Sequence, residues 1–215
     1  TYNVVDGKLY SVPYTFGIMG VGYRSDLVKE TPNSWGVLWD KKYEKKIAFS
    51  RNPIDACFAV GKYLGMDISK LDEDTDAKLA LIKEKMREQN PLLLKRVESL
   101  QEMRNLLAAG DIWLTSADDG MIHKMMLQNQ PMKFFVPKEG AAAWIDQFCI
   151  VADGPNKDAA YLWIDHMLSP EIASQMIKKM GYMVVNAKVV SALPPEMAKL
   201  MTYTAEETKR LVPYP

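Results

Sequence analysis

The chain has 215 residues and balances 27 Lys and Arg against 27 Asp and Glu, for a formal net charge of zero. Hydrophobic residues make up 48% and charged residues 25%, which excludes a disordered chain, a collagen or a coiled-coil rod as the main state. Without a basic surplus for phosphate, a general nucleic-acid or acidic-membrane binder is also excluded.

In chain order, Tyr10 to Tyr23 reads YSVPYTFGIMGVGY. Its β-branched and aromatic residues with interspersed Gly predict strand, turn and strand, with Gly marking close backbone approach. Pro32-Asn-Ser-Trp-Gly36 predicts a turn, and Ile47-Ala-Phe49 a short buried strand. Asn52 as cap, Pro53 at the first position and Asp55 at the third predict a helix that Gly65 ends. A charged helix is expected from about Asp76 to Gln89. A capping box, Ser99-Leu-Gln-Glu102, opens another that stops at Gly110. Ile112 to Thr115 predicts a buried strand, Ser116-Ala-Asp-Asp-Gly120 the loop at its carboxyl end, and Gly120 to Gln128 a helix. Lys133 to Val136 and Trp144 to Val151 predict strands, with a turn at Pro137 to Gly140. Helices follow over about Lys157 to Leu168 and Pro170 to Met180, the second capped by Ser169 and ended by Gly181, and a last short helix starts near Pro194. Strands alternating with helices define an α/β sheet protein.

Cys57 and Cys149 allow one bridge but no disulfide scaffold, and their apolar neighbours predict two buried free thiols. No apolar run approaches the roughly 20 residues of a membrane helix. No signal peptide is present, and the chain opens on Thr1 rather than Met, as expected of a processed, excised or truncated product.

Catalysis is poorly supplied. There is no Gly-x-Ser-x-Gly elbow and no phosphate loop ending in Lys-Ser or Lys-Thr. His123 and His166 lie on predicted helices without His or Cys at ligand spacing, so no metal site and no cofactor is expected. The 14 Met residues, Met121, Met125 and Met126 among them, recur at helical spacing and read first as core.

Three places carry chemistry. Trp144 and Asp146 share a face of one strand at period 2, and an indole beside a carboxylate suits an organic cation. A core Trp with a strand-end Asp fits the same pattern. Ser116-Ala-Asp118-Asp119-Gly120 follows a buried strand, where α/β sheets form ligand crevices; helix capping by either Asp explains it equally. Asn52 to Asp55 fits a cleft or, more simply, a helix start.

These pieces form an ordered set. Tyr10-Ser-Val-Pro-Tyr14, Gly20-Val-Gly-Tyr23, Ser34-Trp35 through Leu38-Trp39, Pro137-Lys-Glu-Gly-Ala-Ala-Ala-Trp-Ile-Asp146, Ala-Asp-Gly-Pro-Asn-Lys-Asp-Ala-Ala-Tyr161, Met-Leu-Ser-Pro-Glu171 and Gly-Tyr182 resemble the spermidine/putrescine-type solute-binding proteins of ABC importers. The resemblance implies a two-lobed periplasmic-binding-protein-like fold (type II) whose α/β lobes close on ligand. It places crossing strands near Tyr10–Pro13 and Ala141–Trp144. Residues 1–12 would end the first lobe, 13–142 form the second lobe, 143–190 return to the first, and 191–215 form a tail on the second. Most of the first lobe's opening segment is expected to be absent, so that a partner segment, swap or homodimer would complete it.

By the same resemblance Trp144, Asp146 and Tyr182 match an aromatic wall, an amine-binding carboxylate and a pocket hydroxyl, and Asp55 with Asn52 an acidic helix start. Where the family usually has a second Trp, this chain has Ser116 or Asp118, with Asp119 beside it. The implied function is non-enzymatic capture of a cationic amine for import through a membrane permease, in the periplasm or anchored outside the cell. A ligand-sensing module, or a relative binding a different small ligand, is the alternative.

Overall fold

The structure, a computed structural model, describes residues 3–68 and 74–214. A small hairpin, β1 (Val4–Val5) and β2 (Lys8–Leu9), turns on Asp6-Gly7, whose φ values of 49° and 73° are those of a two-residue hairpin turn.

The organising element is β3 (Val12–Arg24), one strand of 13 residues and not the expected strand, turn and strand. None of Gly17, Gly20 and Gly22 takes a positive φ. They serve close approach: a Cβ at Gly17 would lie 2.3 Å from the Trp144 ring, at Gly20 2.6 Å from a Phe134 ring atom, and at Gly22 2.3 Å from Ile122. The missing side chains are space for large neighbours, so the strand continues where sequence pattern suggested a turn.

After 3-10 turns at Trp35–Trp39 and Lys41–Tyr43, β4 (Ile47–Ser50) leads into α1 (Pro53–Tyr63), with the Asn52 side chain accepting from the Ile54 N–H at 3.0 Å. Next come α2 (Thr75–Gln89), β5 (Leu93–Val97), α3 (Leu100–Ala109), β6 (Leu114–Asp118) and α4 (Asp119–Leu127). The Ser99 hydroxyl caps α3 by accepting from the Glu102 N–H, and Gly110 ends it at φ 79°. The expected loop at Ser116 to Gly120 is absent: the strand runs through Asp118 and the helix begins at Asp119. Pairing of Ser116, Ala117 and Asp118 with Val21, Gly20 and Met19 extends the strand beyond its apolar stretch.

The chain continues through β7 (Met132–Phe135), β8 (Ala141–Phe148), α5 (Lys157–Leu168), α6 (Pro170–Met180), β9 (Met183–Val184), α7 (Ala187–Ser191), α8 (Pro195–Leu200), α9 (Ala205–Lys209) and β10 (Leu211–Pro213). The strand expected at Trp144–Val151 lies three residues earlier, because Ala142 and Ala143 pair with both β3 and β10 and Ala141 pairs with β10. Cys149 therefore falls beyond the sheet and is exposed, against the expected burial, while Cys57 is partly buried; both thiols are free.

The sheet runs in the order β10-β8-β3-β6-β4-β5, with β7 and β9 also on β3. Strand β4 is parallel to β5 and β6, and β10 to β8, whereas β3 is antiparallel to all its partners. Met19 pairs with both Ala142 and Asp118, and Val21 with both Ser116 and Phe135. Thus β8 and β7 succeed each other along one edge of β3, and β9 and β6 along the other.

The largest core lies around Trp35, Leu38, Ile47, Phe49 and Phe58, all fully buried. The Trp35 indole N–H donates to the Gly140 carbonyl at 2.9 Å, tying the 3-10 turn to the head of β8. Met121 and Met125 fill a second core beside Ile112 and Ile122. The tail divides: α7 and α8 pack on α6 through Val189, Met197 and Met201, whereas β10 returns to β8.

Candidate ligand-binding cleft

Three parallel strands end together. β4 ends at Ser50, β5 at Val97 and β6 at Asp118, and each hands over to a helix, α1, α3 or α4. The carboxyl ends of parallel strands leave a crevice because the helices turn away to opposite faces. Here it is a cleft of about 510 Å³. Ser50, Asn52, Asp55, Glu98, Ser99, Ser116 and Asp118 supply polar walls, and Met19, Met103 and Trp144 supply apolar ones, with Tyr214 reaching in from the tail.

Asp55 is held from three sides. Its carboxylate accepts from the Ser50 hydroxyl at 2.8 Å, the Tyr214 hydroxyl at 2.7 Å and the Asn52 amide at 3.3 Å. Burial, then the hydrogen bond and charge of Asp55, push the Tyr214 hydroxyl pKa up. Asp118 sits at the N-cap position of α4 yet makes no capping hydrogen bond. Its carboxylate instead accepts from the Tyr182 hydroxyl at 3.3 Å. Burial first and the Asp55 charge second push its pKa up to about 6, against the opposing Tyr182 hydrogen bond.

The indole of Trp144 lines the cleft beside these acids, edge-to-face with Tyr182 at 6.0 Å and Tyr214 at 6.1 Å. It lies directly over Gly17. Gly17→Ala should displace the ring and cost about 1–3 kcal/mol through overpacking. A blue or red shift in tryptophan emission with a lower melting temperature is expected; unchanged emission and melting would contradict this placement.

Of the residues singled out in the sequence, Trp144, Asn52, Asp55, Ser116 and Asp118 line the cleft together. Tyr182 stands behind Asp118. Asp146 is half-buried outside the lining, where it accepts from the Thr15 hydroxyl at 2.6 Å, near enough to contribute to the raised Tyr182 pKa. Asp119 is 1% exposed and turned inward. It accepts from the Ile18 N–H at 3.1 Å, the Gly120 N–H at 2.7 Å and the Tyr203 hydroxyl at 2.7 Å, joining β3, α4 and the tail. Burial pushes its pKa up to about 7. His123, one helical turn on, is also buried, which pushes its pKa down to about 4. Ser50, Glu98, Ser99 and Tyr214 were missed. Ser50 and Ser99 precede visible helix starts, but Tyr214 carries no signal, since only the β10–β8 pairing brings it to the cleft.

Among the described residues no Lys, Arg or His lines the cleft, and no three His, Cys, Asp or Glu side chains are placed to hold a metal. The arrangement is that of a binding protein whose crevice collects acids around an indole. The sequence matches the family of bacterial extracellular solute-binding proteins over residues 1–205, and the chain belongs to that family.

Among its relatives, the spermidine/putrescine-binding periplasmic protein of Salmonella typhimurium is 27% identical over 88% of this chain and 53% of its own length. The putrescine-binding periplasmic protein PotF of Escherichia coli is 27% identical over 80% of this chain and 50% of its own. The chain thus spans about half the length of the curated relatives it matches. The spermidine/putrescine ABC transporter substrate-binding protein PotD from Streptococcus pneumoniae superposes with a TM-score of 0.82 at 25% identity, covering all of this chain and 68% of that one.

Proposed function

We propose that this protein captures a polyamine-like cation outside the cytoplasm and delivers it to an ABC permease, without catalysis. One observation carries the reading: Asp55, Asp118 and Glu98 line the cleft around Trp144, and no basic side chain among the described residues lines it with them. Glu98 pairs with exposed Arg51, so Asp55 and Asp118 are the uncompensated charges. Two partly buried like charges repel, and a ligand with separated ammonium groups relieves both while its methylenes lie on the indole. The printed names of the relatives, spermidine/putrescine-binding and putrescine-binding, agree with that chemistry.

In this reading residues 13–142 form one lobe, 143–190 belong to the other, and Trp144 stands where β3 and β8 cross between them. The 1–12 segment belongs to the first lobe, and the 191–215 tail reaches the second through β10 after α8 has packed on α6. Asp146, outside the cleft lining here, and Tyr182 would join the ligand shell on closure.

Calorimetry on the full chain tests the proposal. Putrescine or spermidine should bind, and Asp55→Asn should weaken binding at least tenfold, as losing a desolvated charge-assisted hydrogen bond of about 1.5–3 kcal/mol requires. No binding of either amine, or equal affinity in the variant, would reject it.

A further inference from the structure

A second pocket lies away from the cleft, between α1, α2 and β5. It measures about 400 Å³ and is lined by Cys57, Leu79, Ile82, Met86 and a polar group, Lys83, Arg87, Asn90 and Arg96. Its charge is opposite to that of the cleft: three cations and no acid line it.

Arg96 is the reason to expect a ligand. Its Nε donates to the Asn90 side-chain oxygen at 3.2 Å, and its Nη2 to the same oxygen at 2.9 Å and to the Gln89 side-chain oxygen at 3.3 Å. Its guanidinium carbon stands 5.6 Å from the centroid of the Phe49 ring. These partners are all neutral. Nη1 is buried without an acceptor among the described residues, and Arg96 takes part in no ion pair there. A partly buried guanidinium with one buried, unpartnered nitrogen is ordinarily matched by an anion, because desolvating it unpaired is costly. Burial already disfavours its charged form. Lys83 and Arg87, spaced i and i+4 on α2, add positive potential and also have no ion pair among the described residues.

We propose that this pocket is a second ligand site, for a small amphipathic oxyanion whose head group pairs with Arg96 and Arg87 and whose short apolar body lies against Leu79, Ile82 and Met86. A planar guanidinium favours a carboxylate or phosphate through paired hydrogen bonds. The apolar walls favour a head group carrying a hydrocarbon chain over an inorganic ion.

Cys57 gives a built-in readout, because it lines the pocket while exposed Cys149, just beyond β8, lies outside that lining as a control. The full chain is alkylated with iodoacetamide with and without hexanoate, hexyl phosphate, inorganic phosphate or hexylamine, and each cysteine is followed by mass spectrometry. Hexanoate or hexyl phosphate should slow modification of Cys57 several-fold and leave Cys149 unchanged, with the stronger of the two identifying the head group. Hexylamine should give no protection and inorganic phosphate less than either amphiphile. Arg96→Gln should weaken the protection at least tenfold in ligand concentration. Arg87→Glu, at an exposed position that folding does not require, should weaken it likewise with putrescine binding and melting temperature unchanged. Protection by hexylamine equal to that by hexanoate, no protection by either anion, or full protection in Arg87→Glu would overturn the proposal.

Discussion

Asp118→Asn should lower the affinity for a diamine at least tenfold and flatten its pH dependence, while raising the melting temperature of the unliganded protein. The two effects have opposite signs for one reason. Asp118 is partly buried beside Asp55, and its folded pKa is pushed up to about 6 from an ordinary 3.8. The folded state therefore holds this proton more tightly than the unfolded chain. Stability tied to the proton is complete below about 3.8 and declines as pH rises through about 6. Asn cannot ionise and escapes the decline, so the variant should melt higher than the parent at neutral pH.

Ligand binding runs the other way. An alkylammonium stays charged across this range, so it pairs best with ionised Asp118. Affinity of the parent should rise with pH up to and just beyond about 6 and then level off. Binding near that pH should release protons, seen as a dependence of the calorimetric heat on buffer ionisation enthalpy. In Asp118→Asn the rise should be lost. A variant that melts lower than the parent, or keeps the pH profile, would show that Asp118 is a structural cap and not a ligand group. Its missing capping hydrogen bond argues against that role.

Gly181→Ala should be among the most damaging single-methyl changes in the protein, at about 3 kcal/mol or more. Gly181 ends α6 with its N–H donating to the Ile177 carbonyl at 2.8 Å and a φ of 82°. A left-handed conformation costs a residue with a Cβ about 1–2 kcal/mol by itself. Here the added Cβ would also fall 2.1 Å from the Gly120 carbonyl oxygen and 2.9 Å from the Lys124 nitrogen. Both are backbone atoms of α4, which a rotamer change cannot move. The strain would pass to Tyr182, whose hydroxyl meets Asp118 and whose ring covers Gly120.

Gly65→Ala separates the two costs. Gly65 has a similar φ of 76°, but a Cβ there meets nothing within 4 Å. Urea unfolding should show Gly65→Ala losing only the conformational part, about 1–2 kcal/mol, with amine affinity intact. Gly181→Ala should lose at least twice as much and weaken binding as well. Equal losses in the two variants would mean that α4 yields to the methyl group.

The helices were legible because their signals are local. Asn52-Pro53, Ser99, Ser169-Pro170, Gly110 and Gly181 satisfy or release backbone groups within a turn of themselves, and α1, α3 and α6 begin and end where those residues place them. Glycine in a strand is not local in that sense. Whether Gly17 marks a turn or a seat for an indole depends on Trp144, 127 positions later in the chain, since 144 − 17 = 127.

The acids divide in the same way. The sequence by itself determined an α/β protein, most helix limits and the residue types of a cation site, with Trp144, Asp55 and Asp118 named among them. Only the tertiary structure decided which carboxylates remain available. Adjacent Asp118 and Asp119 look alike in sequence, yet the start of α4 sends one to the cleft and the other into contact with Ile18, Gly120 and Tyr203. The parallel pairing of β10 with β8 then carries Tyr214 to Asp55 across 159 positions. Cap and turn energies are set by neighbours along the chain. The occupancy of a crevice is set by which distant strands pair, and that follows from burial summed over the whole sheet.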